Sequence, residues 1–234
     1  MNATNRAGHN DRLDTNLRCS ASFERDARKA GHSFVAGVDE VGRGSLFGSV
    51  FAAAVILDPE RPIKGLRDSK ELPAEDRERL AARIRERAVA WAVAAADSAE
   101  IDRINIYQAT RVAMTRAVLK LRPAPSYLLV DAMTLGLPVP QQSLIKGDAR
   151  CQAIAAASII AKVERDACMA RWDALYPEYG LKSNKGYSAP VHMRALTEFG
   201  PSPHHRFSYD PVVRASLFHR LSIPKQQSLF TEAS

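Results

Sequence analysis

The stretch Phe34-Val35-Ala36-Gly37-Val38-Asp39-Glu40-Val41-Gly42-Arg43-Gly44 opens as an apolar run and breaks on two adjacent acids and a glycine-flanked arginine. An apolar run of this length predicts a buried strand, and Gly42 and Gly44 predict the turn that ends it. Asp39 is expected to close the strand, with Glu40 following at the turn. Ser49 to Leu57 supplies a second apolar run rich in Val, Ile and Ala. Two strands separated by a glycine turn are expected to pair antiparallel.

Working outward, residues 1–32 mix Asn, Arg, Asp and Ser without an apolar period. They are expected to form a disordered or loosely attached extension, with the domain beginning at residue 33. Pro73 opens a charged amphipathic helix that runs to Arg87, and Ala88 to Ala96 is expected as a third strand despite its alanines. Helical spacing links Ile104, Tyr107, Ala113, Ala117 and Leu121. Tyr127 to Asp131 reads as a short buried strand, and a further strand is expected around Leu144-Ile145. From Cys151 to Leu175 a helix rich in small residues, including Ala153, Ala155, Ala156, Ala157, Ser158 and Ala161, can approach a sheet closely. Another helix is expected from about Ala189 to Phe199, before a Pro/His-rich turn at 201–205. Strands followed by alternating helix and strand define an α/β domain with a mixed sheet.

The 234 residues suit one domain, expected over 33–215, with a tail at 216–234. A composition of 46% hydrophobic and 25% charged residues is that of a globular chain, and no apolar run is long enough to span a bilayer. Lys and Arg exceed Asp and Glu by 33 to 26, a balance that favours a polyanionic partner. Cys19, Cys151 and Cys168 are far apart, which argues against a zinc site or a disulfide framework and fits a reducing compartment. The N-terminus from Met1 to Lys29 lacks the apolar core of a signal peptide, so export is not indicated and a cytoplasmic location is expected; a monomer is expected as well.

Phosphodiester hydrolysis by two metals needs several carboxylates converging on paired Mg²⁺ or Mn²⁺ ions. Asp39 and Asp131 follow apolar strand-like runs, where a charge is costly to bury unless a cation meets it, and Glu40 follows Asp39 at the turn. Asp166 is the fourth candidate. It shares a helical face with Lys162 and Ser158, whereas Glu164 points elsewhere.

Gly37-Val38-Asp39-Glu40-Val41-Gly42-Arg43-Gly44, with Gly48 four residues on, resembles the opening motif of the ribonuclease HII family. The resemblance continues in order through Asp68-Ser69-Lys70, Ile104-Asn105-Ile106, Val130-Asp131, Lys146-Gly147-Asp148, Ala155 to Asp166, Lys185-Gly186-Tyr187, Phe199-Gly200-Pro201-Ser202-Pro203 and His205-Arg206. It implies a ribonuclease-H-like fold, with a five-stranded mixed sheet flanked by helices and a C-terminal helical segment that helps hold substrate. It also implies an endonuclease acting on the RNA strand of RNA-DNA hybrids and at single ribonucleotides in duplex DNA, leaving 5′-phosphate and 3′-hydroxyl ends. Asp39, Glu40, Asp131 and Asp166 are the expected metal-site acids. The resemblance places the Gly42-Arg43-Gly44 loop on the ribonucleotide's 2′-hydroxyl, the group that distinguishes RNA from DNA, and stacks Tyr187 on the following sugar. Lys70, Lys146, Lys162 and Lys185, with Ser158, are the expected substrate contacts. Ser49 stands where the family has proline, Ala153 where serine is common, and Ser188-Ala189 where Gly-Thr is frequent. A non-catalytic nucleic-acid-binding module on the same fold is the alternative reading, and the complete acid set argues against it. His204 and His205 are read as supports for local structure.

In the tail, Gln226-Gln227-Ser228-Leu229-Phe230 resembles the peptide by which bacterial replication and repair proteins dock on the sliding clamp. Gln226, Leu229 and Phe230 are its expected anchors.

Overall fold

The computed structural model describes residues 19–222. Helix α1 (Ser22–Lys29) precedes strand β1 (Val35–Val41), which turns into β2 (Val50–Ile56); helix α2 (Ala74–Arg87) leads to β3 (Ala90–Ala96). Helix α3 (Ser98–Lys120) is followed by β4 (Tyr127–Asp131), β5 (Gln141–Leu144), the short α4 (Gly147–Arg150) and the long α5 (Gln152–Leu175). The chain closes with α6 (Leu181–Asn184), α7 (Pro190–Phe199) and α8 (Asp210–Ser222). The strands form one sheet in the order β3-β2-β1-β4-β5. As expected, β1 pairs antiparallel with β2; it also pairs parallel with β4, so the sheet is mixed.

The central position of β1 follows from its composition, because both of its faces are covered. Ala36 and Val38 pack with Ala113, Met114 and Ala117 of α3. On the other face α5 lies so close that a Cβ on Gly37 would sit 2.0 Å from the carbonyl carbon of Ala153. Only a hydrogen at residue 37 allows that approach. Ala155, Ala156, Ile159 and Ile160 of α5 then pack with Ala53 and Val55 of β2 and with Leu80 and Ile84 of α2. Beyond the sheet, the far end of α5 joins α7 and α8 through Phe47, Met169, Leu181, Leu196 and Val212.

Three expectations need correction. β1 does not stop at Asp39 but runs on to Val41, so Glu40 is a strand residue. β5 ends at Leu144, leaving Ile145 outside it. The described part of the expected 1–32 extension is docked onto the domain. Ser20 bridges to Cys151, and the buried Glu24 accepts a 2.7 Å hydrogen bond from the Ala153 N–H. The physical reason is that α5 has no side-chain cap of its own at Cys151. Glu24 supplies one from another helix and satisfies a backbone donor that the first turn leaves open.

Candidate metal centre and substrate cleft

Two parallel neighbours in the middle of the sheet carry the first acids. Asp39 is buried on β1, accepts from the Glu40 N–H at 2.8 Å and is hydrogen-bonded by Ser158 of α5. The Ser158 hydroxyl is itself 2.9 Å from that of Ser69. Asp131 ends β4, where its Oδ1 accepts from the Gly147 N–H at 2.7 Å. Gly147 must be glycine in this packing, since a Cβ there would lie 2.6 Å from Ile154 Cδ1 and 3.1 Å from Asp131 Oδ1. One oxygen each from Asp39, Glu40 and Asp131 falls within a common span of 4.8 Å. Such a trio of hard oxygen ligands suits Mg²⁺ or Mn²⁺ and offers nothing that would favour a soft metal.

A fourth carboxylate joins them: Asp148, from the Lys146-Gly147-Asp148 stretch, which no sequence pattern marks as a metal-site acid. It lies on the first turn of α4, accepts from the Ala149 N–H at 2.9 Å and has Lys70 Nζ 3.7 Å away. With Asp39, Glu40, Asp131, Ser69, Ser158, Lys70, Lys162 and Tyr187 it lines a cleft of about 320 Å³. Burial raises the pKa of all four acids. Mutual repulsion adds to the rise: Glu40 and then Asp131 act on Asp39, and Asp148 acts on Asp131. Arg43 works against the rise at Glu40, with its guanidinium 3.5 Å from that carboxylate. The four acids outnumber the cations paired with them, Arg43 at Glu40 and Lys70 at Asp148, and divalent cations would relieve the remaining repulsion.

Asp166 does not belong to this set. Its Oδ1 accepts from Lys162 Nζ at 2.7 Å and its Oδ2 is 3.9 Å from Arg77, so it is ion-paired with these two cations and not gathered with the other acids. Lys162 reaches the cleft and Asp166 does not line it. Of the other expected lysines, Lys70 lines the cleft whereas Lys146 does not. The Lys185 ammonium folds back onto the Lys182 carbonyl at 2.7 Å.

The glycine-flanked arginine sits at the cleft's edge. Gly42 has φ +93°, and a Cβ on it would lie 2.2 Å from Arg165 Nε. Arg165, another residue not singled out from the sequence, is buried beneath the loop. It donates to the Lys185 carbonyl at 2.9 Å, and its guanidinium lies 5.5 Å from the centre of the Tyr187 ring. Tyr187 thereby stands beside Gly44, whose Cβ position would be 3.9 Å from the ring. The histidines keep a local role. His205 is paired with His192 at 3.0 Å, and burial and then His192 push its pKa down to about 3, so it stays neutral.

A five-stranded mixed sheet between helices, with carboxylates from separate strands gathered in one cleft, is the framework of a metal-dependent phosphodiester hydrolase of the ribonuclease H kind. A profile described as Ribonuclease HII matches residues 36–212, and the chain belongs to the ribonuclease HII family. It is 61% identical over 217 residues to the ribonuclease HII of Solibacter usitatus (strain Ellin6076), covering 93% of this chain and 95% of that one. Among solved structures it is similar to the ribonuclease H2 of Pyrococcus horikoshii OT3, with 27% identity and a TM-score of 0.67 over 80% of this chain and 98% of the other. It is also similar to the RNase HII in the PCNA:RNase HII complex from Archaeoglobus fulgidus, with 27% identity and a TM-score of 0.65 over 75% and 95% of the two chains. The family makes this chain a divalent-metal-dependent endoribonuclease of RNA-DNA hybrids. Among the described residues no helix is long and apolar enough to cross a membrane.

Proposed function

We propose that this protein is a cytoplasmic endonuclease that cuts both long RNA-DNA hybrids and single ribonucleotides in duplex DNA, with Asp39, Glu40, Asp131 and Asp148 as its metal ligands. The observation that carries the reading is the gathering of the four acids and Tyr187 in one cleft with the Gly42-Arg43-Gly44 turn at its edge beside that ring. Two Mg²⁺ or Mn²⁺ ions, when bound, supply activation of water and charge stabilisation of the leaving oxygen, giving 5′-phosphate and 3′-hydroxyl ends. The protein's own contribution is placement. Asp39 is fixed by Ser158 and the Glu40 amide, and Asp131 by the Gly147 amide. Lys70 and Lys162 bring positive charge to the phosphate side of the cleft, and Tyr187 offers a ring face to a sugar. The turn next to Glu40 reads the 2′-hydroxyl.

The test is nicking of duplex DNA that carries one ribonucleotide, alongside a long hybrid and an all-DNA control, in Mg²⁺ and in Mn²⁺. Cleavage of the hybrid alone would refute the single-ribonucleotide reading. The tail residues Gln226, Leu229 and Phe230 lie outside the described residues. Their proposed role in docking on a sliding clamp is supported by the archaeal relative's complex with PCNA. Equal clamp affinity for the full chain and a chain ending at Lys225 would refute it.

A further inference from the structure

One buried side chain underlies the glycine-flanked turn. Arg206 has no exposed surface, and its guanidinium is spread over the loop. Nη2 donates to the Gly42 carbonyl at 2.8 Å, Nη1 to the Arg43 carbonyl at 2.7 Å and Nε to the Gly48 carbonyl at 2.9 Å. Nη1 also reaches the Tyr209 hydroxyl at 3.1 Å, and that hydroxyl donates to the same Arg43 carbonyl. These partners are all uncharged, so burying this cation makes sense only if the loop's carbonyls are what it is there to hold.

Peptide planarity converts this into a statement about donors. In a trans peptide the N–H points opposite to the C=O across the same bond. With the Gly42 and Arg43 carbonyls turned in toward Arg206, the N–H groups of Arg43 and Gly44 are turned out, on the exposed side of the loop beside Tyr187. Neither N–H appears in the network of backbone hydrogen bonds among the described residues. The segment that carries Arg206 is itself tied down from across the domain. Asp102 of α3 accepts from the Phe207 N–H at 2.9 Å, the Ser208 N–H at 2.8 Å and the Ser208 hydroxyl at 2.6 Å.

We infer that Arg206 is a positioning residue for ribonucleotide recognition, steadied by Asp102. By occupying the Gly42 and Arg43 carbonyls it fixes the N–H groups of Arg43 and Gly44 outward, preset for an oxygen acceptor such as a ribose 2′-oxygen. A lysine cannot reproduce this, because one ammonium on a flexible stem cannot hold three divergent carbonyls in a fixed plane.

The inference rests on the proposed ribonucleotide reading, and its test keeps the two apart. Binding of the full-length protein is measured without divalent metal, so that nothing is cut, on duplex DNA with and without one ribonucleotide. Arg206→Lys and Asp102→Asn are compared with wild type. The expected result is a loss of about tenfold in preference for the ribonucleotide, of the order of one oriented hydrogen bond, with all-DNA affinity and the Mn²⁺ concentration for half-maximal activity unchanged. A merely structural role would lower both affinities together. Parallel loss on both duplexes, or an intact preference in the folded variants, would overturn the inference. Should Arg206→Lys not fold, Asp102→Asn decides alone, since that carboxylate is only half-buried. A wild-type protein without preference would sink the proposed function and this inference with it.

Discussion

Replacing Asp39 with Asn separates what the acid cluster does for catalysis from what it costs the fold. Two full charges at the 4.8 Å span of the Asp39, Glu40 and Asp131 oxygens repel by about 3.5 kcal/mol at an effective dielectric of about 20. Proton sharing among the acids reduces this, so a relief of about 2 kcal/mol near pH 8 is expected, or about 4–8 °C in melting temperature for a chain of this size. The geometry is kept, because the Asn carbonyl still accepts from the Glu40 N–H. The sign of the pH dependence follows from the raised pKa values of all four acids. The folded state binds more protons than the unfolded state, so metal-free stability falls as pH rises from the ordinary carboxylate range, about pH 4, through the raised values. Asn does not titrate, and the variant's advantage therefore grows with pH. Metal reverses the order. At a hundredfold excess over its dissociation constant an ion that binds only the native state adds about 2.7 kcal/mol, and the variant gains less of it. Thermal melts at several pH values, in chelator and in Mn²⁺, read this directly. A variant that melts below wild type in chelator at pH 8, or gains as much from Mn²⁺, would refute the reasoning.

Three further outcomes are expected. Asp148→Asn should lower kcat/KM by about a hundredfold or more and weaken Mn²⁺ activation, whereas Asp166→Asn should leave Mn²⁺ activation unchanged and weaken substrate binding by releasing Lys162; metal titrations of the nicking rate compare the two. Gly42→Ala should destabilise by about 1–3 kcal/mol and abolish ribonucleotide preference, because its φ is left-handed and its methyl group would overlap Arg165; denaturant melts and the nicking assay check this. Glu24→Ala should cost about 1–2 kcal/mol in chemical denaturation through the uncapped Ala153 N–H. An unchanged stability would mean that the docked N-terminal segment contributes nothing to the fold.

The fold was legible where burial on both faces forces an uninterrupted apolar run, as in β1, β2 and β4. It was legible by pattern in α2, whose exposed charges surround Leu80, Ala81 and Ile84. β3 is a different case. Its alanines have no preference for a strand, and Ala90, Ala92, Ala94 and Ala96 are extended because α3 packs on that face while Trp91 stays out. Helix α1 was missed because its apolar face is short: Phe23 and Ala27, one turn apart, pack with Val35, Leu129 and Ile154, and the capping carboxylate of Glu24 supplies the rest of its hold. Composition cannot report an interaction made by one oxygen atom.

The acid site divides along the same line. Asp39, Glu40 and Asp131 were readable because each ends or interrupts an apolar run, where a charge has no reason to be without a cation. Asp148 follows a strand with polar, exposed residues and reaches the cleft only because the Gly147 N–H bonds Asp131, a contact across sixteen positions that no local pattern encodes. Asp166 failed for the opposite reason. The helical face was read correctly, since Ser158 and Lys162 do meet the cleft, but a face does not specify a height. Eight residues separate Ser158 from Asp166, about 12 Å along the axis, and the small-residue stretch that lets α5 approach the sheet ends at Ala161. Lys162 lines the cleft beside the acids, with its ammonium held by Asp166. Asp166, one turn further, lies past them and finds Lys162 and Arg77 instead. Its charge holds Lys162 at the cleft wall, so the expected effect of Asp166→Asn falls on substrate binding and leaves metal activation unchanged.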